Sequence, residues 1–508
     1  MICAGWAAVV GVMFFRHEFW RDEVRALSLA VDAHSLPHLK ALLQNEGHPM
    51  LWHVLLYAAH GLTGSKLVLP MLSALICAAA VGLFVYGAPF PLWFKALFVA
   101  GLPLYEYSVM ARNYGISMLL CFAFARLYPS RGQRPLALGV LLCLLANTNV
   151  HSALLAGLLL GFWSWDVLVR ARASWSSGPA RGLYGGALLF ALGIGFALWT
   201  VWPTSEMAVS DTSHYTAAFV LESLWKTLLD PGLAFQKIAP RLPGALTLLA
   251  NLVLVGATLS LLRDPAACVL TWAALVMLSV LFQLVYKGGL RHQGLLVVFM
   301  ITLQWIVLEQ RRHGPRMQVA RSLEWLGNHV GFPVLLAALI VTNGYYLIVD
   351  MIGEESSSRA FAEQLHREPR YSNAILVGEP DFYMETLRYY ADNEVYIPRE
   401  QRVGHTVNFV RGARKDLSLD TLLREARRLQ QDPHRPVLIA LGHTKVLDPG
   451  GPAPRDPQQL SYSYGRTFSW SADSLAAWQA STKLVRELDR GVHGDERYRV
   501  YELVAPPP

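Results

Sequence analysis

The stretch LVLPMLSALICAAAVGLFVYG, Leu67–Gly87, runs for twenty-one residues without a charge. A helix needs about 20 such residues to cross the hydrocarbon core of a bilayer. Working outward from it, apolar runs of similar character recur as far as Val349, separated by short polar breaks. Across the 508 residues 53% are hydrophobic and only 16% charged, against about a quarter charged in an ordinary soluble domain. Mean hydropathy is +0.32. From Met351 the composition changes to charged, Pro-rich and aromatic. The expected fold is a polytopic α-helical membrane protein over 1–350, followed by a soluble α/β domain over 351–508.

Topology follows from where the arginines fall. The apolar candidates are Met1–Phe15, Pro49–Leu62, Leu67–Gly87, Leu92–Tyr105, Tyr114–Tyr128, Pro135–Ala146, Val150–Val169, Leu183–Trp202, Gly244–Leu262, Ala266–Val285, Leu290–Leu308 and Phe332–Val349. Met1–Phe15 lacks a basic leader and a small-residue cleavage site, so it is expected to be an uncleaved first span. Pro49–Leu62 is short, begins with Pro and carries His53 and His60, which suits an interfacial or re-entrant segment. If it does not cross, the loops bearing Arg131 and Arg134, Arg170, Arg172 and Arg181, Arg263, and Arg311, Arg312, Arg316 and Arg321 all become cytoplasmic. That satisfies the positive-inside rule throughout, whereas a crossing would export every one of them. About eleven spans result, with the N-terminus inside. The first loop (16–66), the Glu106–Asn113 turn, Asn147–Asn149, Pro203–Pro243, Tyr286–Gly289 and the C-terminal domain then share the external face, periplasmic in a bacterial inner membrane.

The same placement accounts for the net charge of +7 as a topology signal, and nucleic acid is not an expected partner. All five cysteines, Cys3, Cys77, Cys121, Cys143 and Cys268, sit in apolar runs, which excludes a disulfide framework or a Cys-based zinc site. The histidines His48, His53, His60 and His151 match no strong ligand spacing, so no metal site is assigned and a divalent ion is left open. The pair Gly185-Gly186 lies in a membrane run and Gly288-Gly289 beside one, where helix packing explains them.

Three external segments carry the residues capable of chemistry. The first loop opens Arg16-His-Glu-Phe-Trp-Arg-Asp-Glu-Val, so Asp22 and Glu23 stand just past the first span, followed by Glu46-Gly-His48-Pro. Adjacent carboxylates at a membrane surface can supply a base of raised pKa, since low dielectric and like charge both favour the protonated form; an ordinary solvated loop is the alternative. The turn Tyr105-Glu-Tyr-Ser-Val-Met-Ala-Arg-Asn-Tyr-Gly brings Arg112 to a membrane boundary. The sequence Lys287-Gly-Gly-Leu-Arg-His-Gln-Gly brings Lys287, Arg291 and His292 there too. Arginine forks and a lysine point charge suit a phosphate, although snorkelling cations among lipid headgroups would look the same.

Taken in order, these pieces resemble the GT-C membrane glycosyltransferases, in particular the branch of protein O-mannosyltransferases and lipid A aminoarabinose transferases. Trp20-Arg-Asp-Glu-Val is similar to that branch's Asp-Glu motif after the first span. Glu46-Gly-His-Pro-Met-Leu-Trp-His resembles its His-Pro-Pro-Leu segment, with Met50 for the second Pro. Tyr107-Ser-Val-Met-Ala-Arg-Asn-Tyr114 resembles its Tyr-Ser-Arg-x-Ala-Arg turn, with Val109 for the first Arg. The resemblance implies a donor sugar linked to polyprenyl phosphate and a lipid, glycan or protein acceptor. It makes Asp22 the candidate base with Glu23 assisting. Arg112 and Arg291, with Lys287 and His292, would hold the lipid phosphate, and Glu46, His48, Tyr107 and Tyr114 would line the substrate site. A donor whose tail stays in the bilayer must react at its surface, and a departing phosphate needs fixed positive charge. A transporter or flippase of a lipid-linked substrate is the competing reading, though no internal repeat supports it. A scaffold subunit of an envelope assembly is a third.

In the C-terminal part, Asn373–Gly378, Glu394–Pro398, Pro436–Gly442 and Arg497–Val504 read as strands, and Phe382–Ala391 and Leu417–Gln430 as helices, giving a partly parallel sheet. Gly442-His-Thr-Lys reads as a plain turn after a strand, and Pro449–Pro457 as an external loop. The domain is expected to cover the active site or guide the acceptor.

Overall fold

The computed structural model describes residues 1–44, 46–207, 216–238, 245–310, 318–353, 356–430, 435–442, 458–462, 465–488 and 496–504. Arg311, Arg312 and Arg316, the loop Pro449–Pro457, part of Pro203–Pro243 and the turn after Gly442 lie outside the described residues.

Among the described residues six helices are long and apolar enough to span: Val68–Gly87, Val150–Arg170, Gly178–Val201, Pro265–Leu284, Leu290–Glu309 and Ala320–Ile352. A seventh candidate is the pair Ile2–Arg16 and Arg21–Asp32, bent by 77° at the intervening break. The other expected spans form shorter helices, including Leu92–Ala100, Tyr114–Leu127 and Pro135–Ala146. Their runs are cut by Gly101, Pro103 and the Pro129–Pro135 turn, since proline and glycine end a helix before it reaches full length. Pro49–Leu62 folds as Leu51–Thr63, 13 residues long, and packs on Arg21–Asp32.

The spanning helices differ in what surrounds them. Leu290–Glu309 is 89% buried within the protein, whereas the other five are 22–44% buried, so it is the central post and they leave apolar faces uncovered. Close approach in the bundle rests on glycine, as the sequence suggests for Gly186. A Cβ at Gly139 would lie 2.7 Å from the Cα of Gly186, and one at Gly186 would lie 2.4 Å from the Trp163 ring. Small residues are what allow helix backbones to meet this closely.

Charged side chains separate to the two ends of the bundle. At one end Arg170 pairs with Asp166 (2.9 Å) and Asp264 (2.6 Å), and Arg263 pairs with Glu324 (2.8 Å). The Tyr128 hydroxyl donates to Asp166 (2.8 Å), and Arg131 lies 3.9 Å from the same carboxylate. At the other end His17, just after the first helix, joins Asp350 near the close of the last one (2.7 Å) and Glu23 (3.2 Å). The exits of the first and last membrane helices are therefore neighbours.

The C-terminal part holds a six-stranded mixed sheet, in the order Arg402–Val403, Val395–Ile397, Ile375–Glu379, Val437–Leu441, Tyr498–Leu503 and Thr482–Leu488. The three strands Val395–Ile397, Ile375–Glu379 and Val437–Leu441 run parallel. Ile375–Glu379 and Val437–Leu441 are buried along their whole length, as central parallel strands covered on both faces must be. A second sheet, Asp416–Ser418, Arg466–Trp470 and Gln458–Tyr462, was not expected from the sequence. The region read as the helix Phe382–Ala391 is a tight helical turn, Asp381–Thr386, followed by one α-helical turn, Leu387–Tyr390. It follows the carboxyl end of the parallel strand Ile375–Glu379, the edge where such sheets present their functional loops. Here that edge is packed on the helix Arg21–Asp32.

Candidate active site

Between the bundle end marked by His17 and the C-terminal domain lies a cavity of about 770 Å³. Asp22, Glu46, His48, Arg112, Tyr114, Arg291 and His292 line it, together with Arg21, Arg25, Glu106, Lys237 and Glu385. The walls come from the first loop, the 105–114 turn, the first turns of the helices Val150–Ser164 and Leu290–Glu309, and the domain beyond residue 350.

Asp22 occupies the second position of the helix Arg21–Asp32, with 41% of its side chain accessible. Arg112 donates to its backbone carbonyl and lies 3.5 Å from its carboxylate. Burial alone would raise the Asp22 carboxyl, but Arg112, Arg21 and Arg291, with His48, hold it below the ordinary aspartate range. This reverses the raised pKa expected for an adjacent acid pair. The reason is helical: consecutive residues do not face the same way.

Glu23 points out of the cavity and is fully buried. Its oxygens accept from the backbone N–H of Ala111 (2.7 Å) and Trp20 (3.0 Å), and the carboxylate faces His17 at 3.2 Å. Burial lowers the His17 pKa, yet Glu23 and Asp350 outweigh it and push the imidazole up to about 10. Glu23 thus belongs to a buried clasp joining the first helix exit to the last helix, with no surface left for substrate.

Arg291 is held by Glu106 at 3.0 Å, and its guanidinium lies 5.9 Å from the centre of the Trp20 ring. Tyr107 does not line the cavity. Its hydroxyl donates to the carbonyl of Arg291 (2.9 Å), and its ring stacks on Tyr114, so it acts from behind the wall. His292 accepts from the N–H of Gly289 (3.0 Å), closing the first turn of its helix. Lys287 is exposed on the preceding turn and is absent from the lining. It lies ahead of the helix start at Leu290 and so does not share Arg291's face. The lysine that does reach the cavity is Lys237, whose backbone N–H is fixed by the Gln293 side chain (2.8 Å).

Arg25 joins the two halves of the molecule. It forks onto Glu46 (Nε–Oε2 2.8 Å), pairs with Glu385 of the C-terminal domain and donates to the Val407 carbonyl (2.9 Å). Glu46 is consequently held below the ordinary glutamate range despite its burial. Beside it, burial and the charge of Arg112 depress His48 to about 4, leaving a neutral imidazole. Among the described residues no group of three or more His, Cys, Asp or Glu is arranged to hold a metal ion. Arg21 stands inside the Trp20-Arg-Asp-Glu-Val motif but carries no assignment there, and nothing in the local sequence marks Lys237 or Glu385; Glu385 lies 360 residues from its partner Arg25.

Among these side chains, Asp22, held ionised, and the guanidiniums of Arg112 and Arg291 line one cavity at the level where helices leave the bundle. Such a place can hold an anion at Arg112 and Arg291 while Asp22 accepts a hydrogen bond from a second reactant.

No family model matches the chain, and no curated protein does. Among solved structures it is similar to two crystal structures of ArnT from Cupriavidus metallidurans, one bound to undecaprenyl phosphate and one in the apo state. Identity is 13% in both. The TM-score is 0.43 for the first, over 99% of each chain, and 0.44 for the second, over 99% of this chain and 98% of the other. At that depth the likeness carries no functional argument.

Proposed function

We propose that this chain is a GT-C type glycosyltransferase that moves a sugar from a polyprenyl-phosphate donor to an acceptor at the external face of a bacterial inner membrane. The observation that carries the reading is Asp22 set against Arg112, with Arg291 in the same cavity, all at loop roots where a lipid-borne phosphate can arrive while its tail stays in the bilayer. Arg112 and Arg291 hold that phosphate as it leaves, because fixed positive charge acts where negative charge grows. Asp22, kept ionised, meets the acceptor as the candidate base or as the group that orients it. His48 and Tyr114 add wall to the same space, and Glu46 does so while gripping Arg25.

The topology belongs to the proposal: residues 1–350 as a bundle of about eleven spans, N-terminus inside, and 351–508 as a periplasmic domain over the site. Two features support it. The exits of the first and last helices adjoin through His17 and Asp350, which calls for an odd number of crossings. The arginines counted as cytoplasmic, Arg131, Arg170 and Arg263, gather at the opposite end.

The test uses the full-length protein in lipid nanodiscs with undecaprenyl phosphate as probe. Wild type is expected to bind it, and Arg291→Gln and Arg112→Gln to bind at least about tenfold more weakly, a lost charge-assisted contact being worth about 1.5–3 kcal/mol. Unchanged binding in both variants, or none in wild type, overturns the reading.

A further inference from the structure

Glu385 reaches the cavity from the turn Asp381–Thr386, at the carboxyl edge of the parallel strands, and only 3% of its surface is accessible. Its Oε1 is doubly anchored, by Arg25 and by the Val407 N–H (2.6 Å). Its Oε2 has no hydrogen-bond partner among the described residues. A carboxylate with one oxygen pinned and the other unengaged is oriented for a group that arrives later.

The guanidinium beside Glu385 is already committed. Arg25 is shared by Glu46, Glu385 and the Val407 carbonyl. Arg21 lies 3.5 Å from Glu496 and is ringed by Trp20, Phe382 and Tyr383, at 5.1, 5.3 and 5.6 Å from their ring centres. What remains for an incoming acceptor on this side is the oxygen of Glu385, with Asp22 nearby. A phosphate would meet two carboxylates there and no unpaired guanidinium; a hydroxyl would find acceptors for its proton.

We propose that Glu385 takes the proton of the acceptor, and that the acceptor presents a hydroxyl and not a phosphate. The inference rests on the transferase reading. The acceptor O–H proton passes to Glu385 Oε2 while the acceptor oxygen bonds to the sugar's C1. The bond from C1 to the lipid phosphate oxygen breaks, and its electron pair leaves on the phosphate held by Arg112 and Arg291. Burial, opposed by Arg25 and the Val407 N–H and aided by Glu46 and Asp22, raises Glu385 to about 7, while Asp22 lies below the ordinary range. Two carboxylates pushed apart in this way divide the work: Asp22 orients, Glu385 accepts.

The test again uses the whole protein in nanodiscs, with synthetic polyprenyl-phosphate hexoses and pentoses as donors and two probe acceptors, octyl glucoside and octyl phosphate. Wild type is expected to transfer at least about tenfold faster to octyl glucoside, with a rate that rises as pH passes about 7. Glu385→Gln is expected to transfer about 100-fold more slowly, the usual worth of a proton acceptor. It should lose that pH dependence and bind undecaprenyl phosphate within about twofold of wild type. A Glu385→Gln rate within threefold of wild type, a preference for octyl phosphate, or transfer to neither acceptor by a wild type that binds undecaprenyl phosphate overturns the inference alone. The acceptor preference of wild type decides the matter even if the variant fails to fold. A wild type that binds no undecaprenyl phosphate overturns the transferase reading itself.

Discussion

The two ends of the bundle are built from the same side chains and do opposite things with them. Around Asp166, Arg170 and Asp264, carboxylates and guanidiniums close on each other at 2.6–2.9 Å, and the Tyr128 hydroxyl completes the set. Around Asp22, Arg112 lies 3.5 Å away and both side chains line a cavity. Buried ion pairs satisfied by one another fix a structure. Charges that line a cavity can also act on a ligand that enters it. An arginine at a membrane boundary is thus not informative by itself; the geometry of its partner is.

The sharpest way to break this contrast is to exchange the chemistry of the two aspartates. Asp22→Asn is expected to lower sugar transfer by about 10³-fold while leaving the melting temperature within a few degrees, because its charge faces the cavity. Asp166→Asn is expected to reduce stability by about 1–2 kcal/mol, because Tyr128 loses a charged acceptor and Arg170 keeps only Asp264, with transfer per folded molecule little changed. Denaturation in detergent together with a transfer assay checks both. If Asp22→Asn destabilises as much as Asp166→Asn and keeps its activity, the distinction collapses.

Next in size is the joint between the halves. Arg25→Met leaves Glu46 and Glu385 facing each other without their shared cation and is expected to cost about 3 kcal/mol. The triple change Arg25→Met, Glu46→Gln, Glu385→Gln should recover part of that loss. Limited proteolysis after Asp350 reads it as faster release of the C-terminal domain from the variant.

The smallest effect is a pH dependence. His17 has a folded pKa of about 10 against 6.5. A group raised in the folded state contributes fully below its unfolded value and loses that contribution as pH climbs through the folded one. Between pH 7 and 10 the melting temperature of wild type should therefore fall by a few degrees more than that of His17→Gln. Parallel curves would remove the charged clasp.

How much of this could be read in advance depended on how local the signal was. Leu67–Gly87 announces a span because its own length and composition suffice. Asp22, Glu46, His48 and Arg112 could be picked out because each sits in a short ordered motif near a helix end. Glu23 lies off the cavity because adjacency in sequence is not adjacency in space: a helix turns about 100° per residue. Lys287 stands off the lining for a related reason: the helix carrying Arg291 begins only at Leu290, so the two share no face. Glu385 and Lys237 reach the cavity through tertiary docking between distant segments, which leaves no periodicity to read. The span count was blurred by short apolar helices that rely on neighbours for their place.

One consequence follows from the helix Leu290–Glu309, encased on nearly every side. Arg291 rides on a member that cannot tilt or slide unless the surrounding helices travel with it. Whatever is delivered to that guanidinium must do the moving. On the proposed reading the donor lipid travels to a stationary anchor, and adaptation to new cargo is easiest in the C-terminal domain packed beside it.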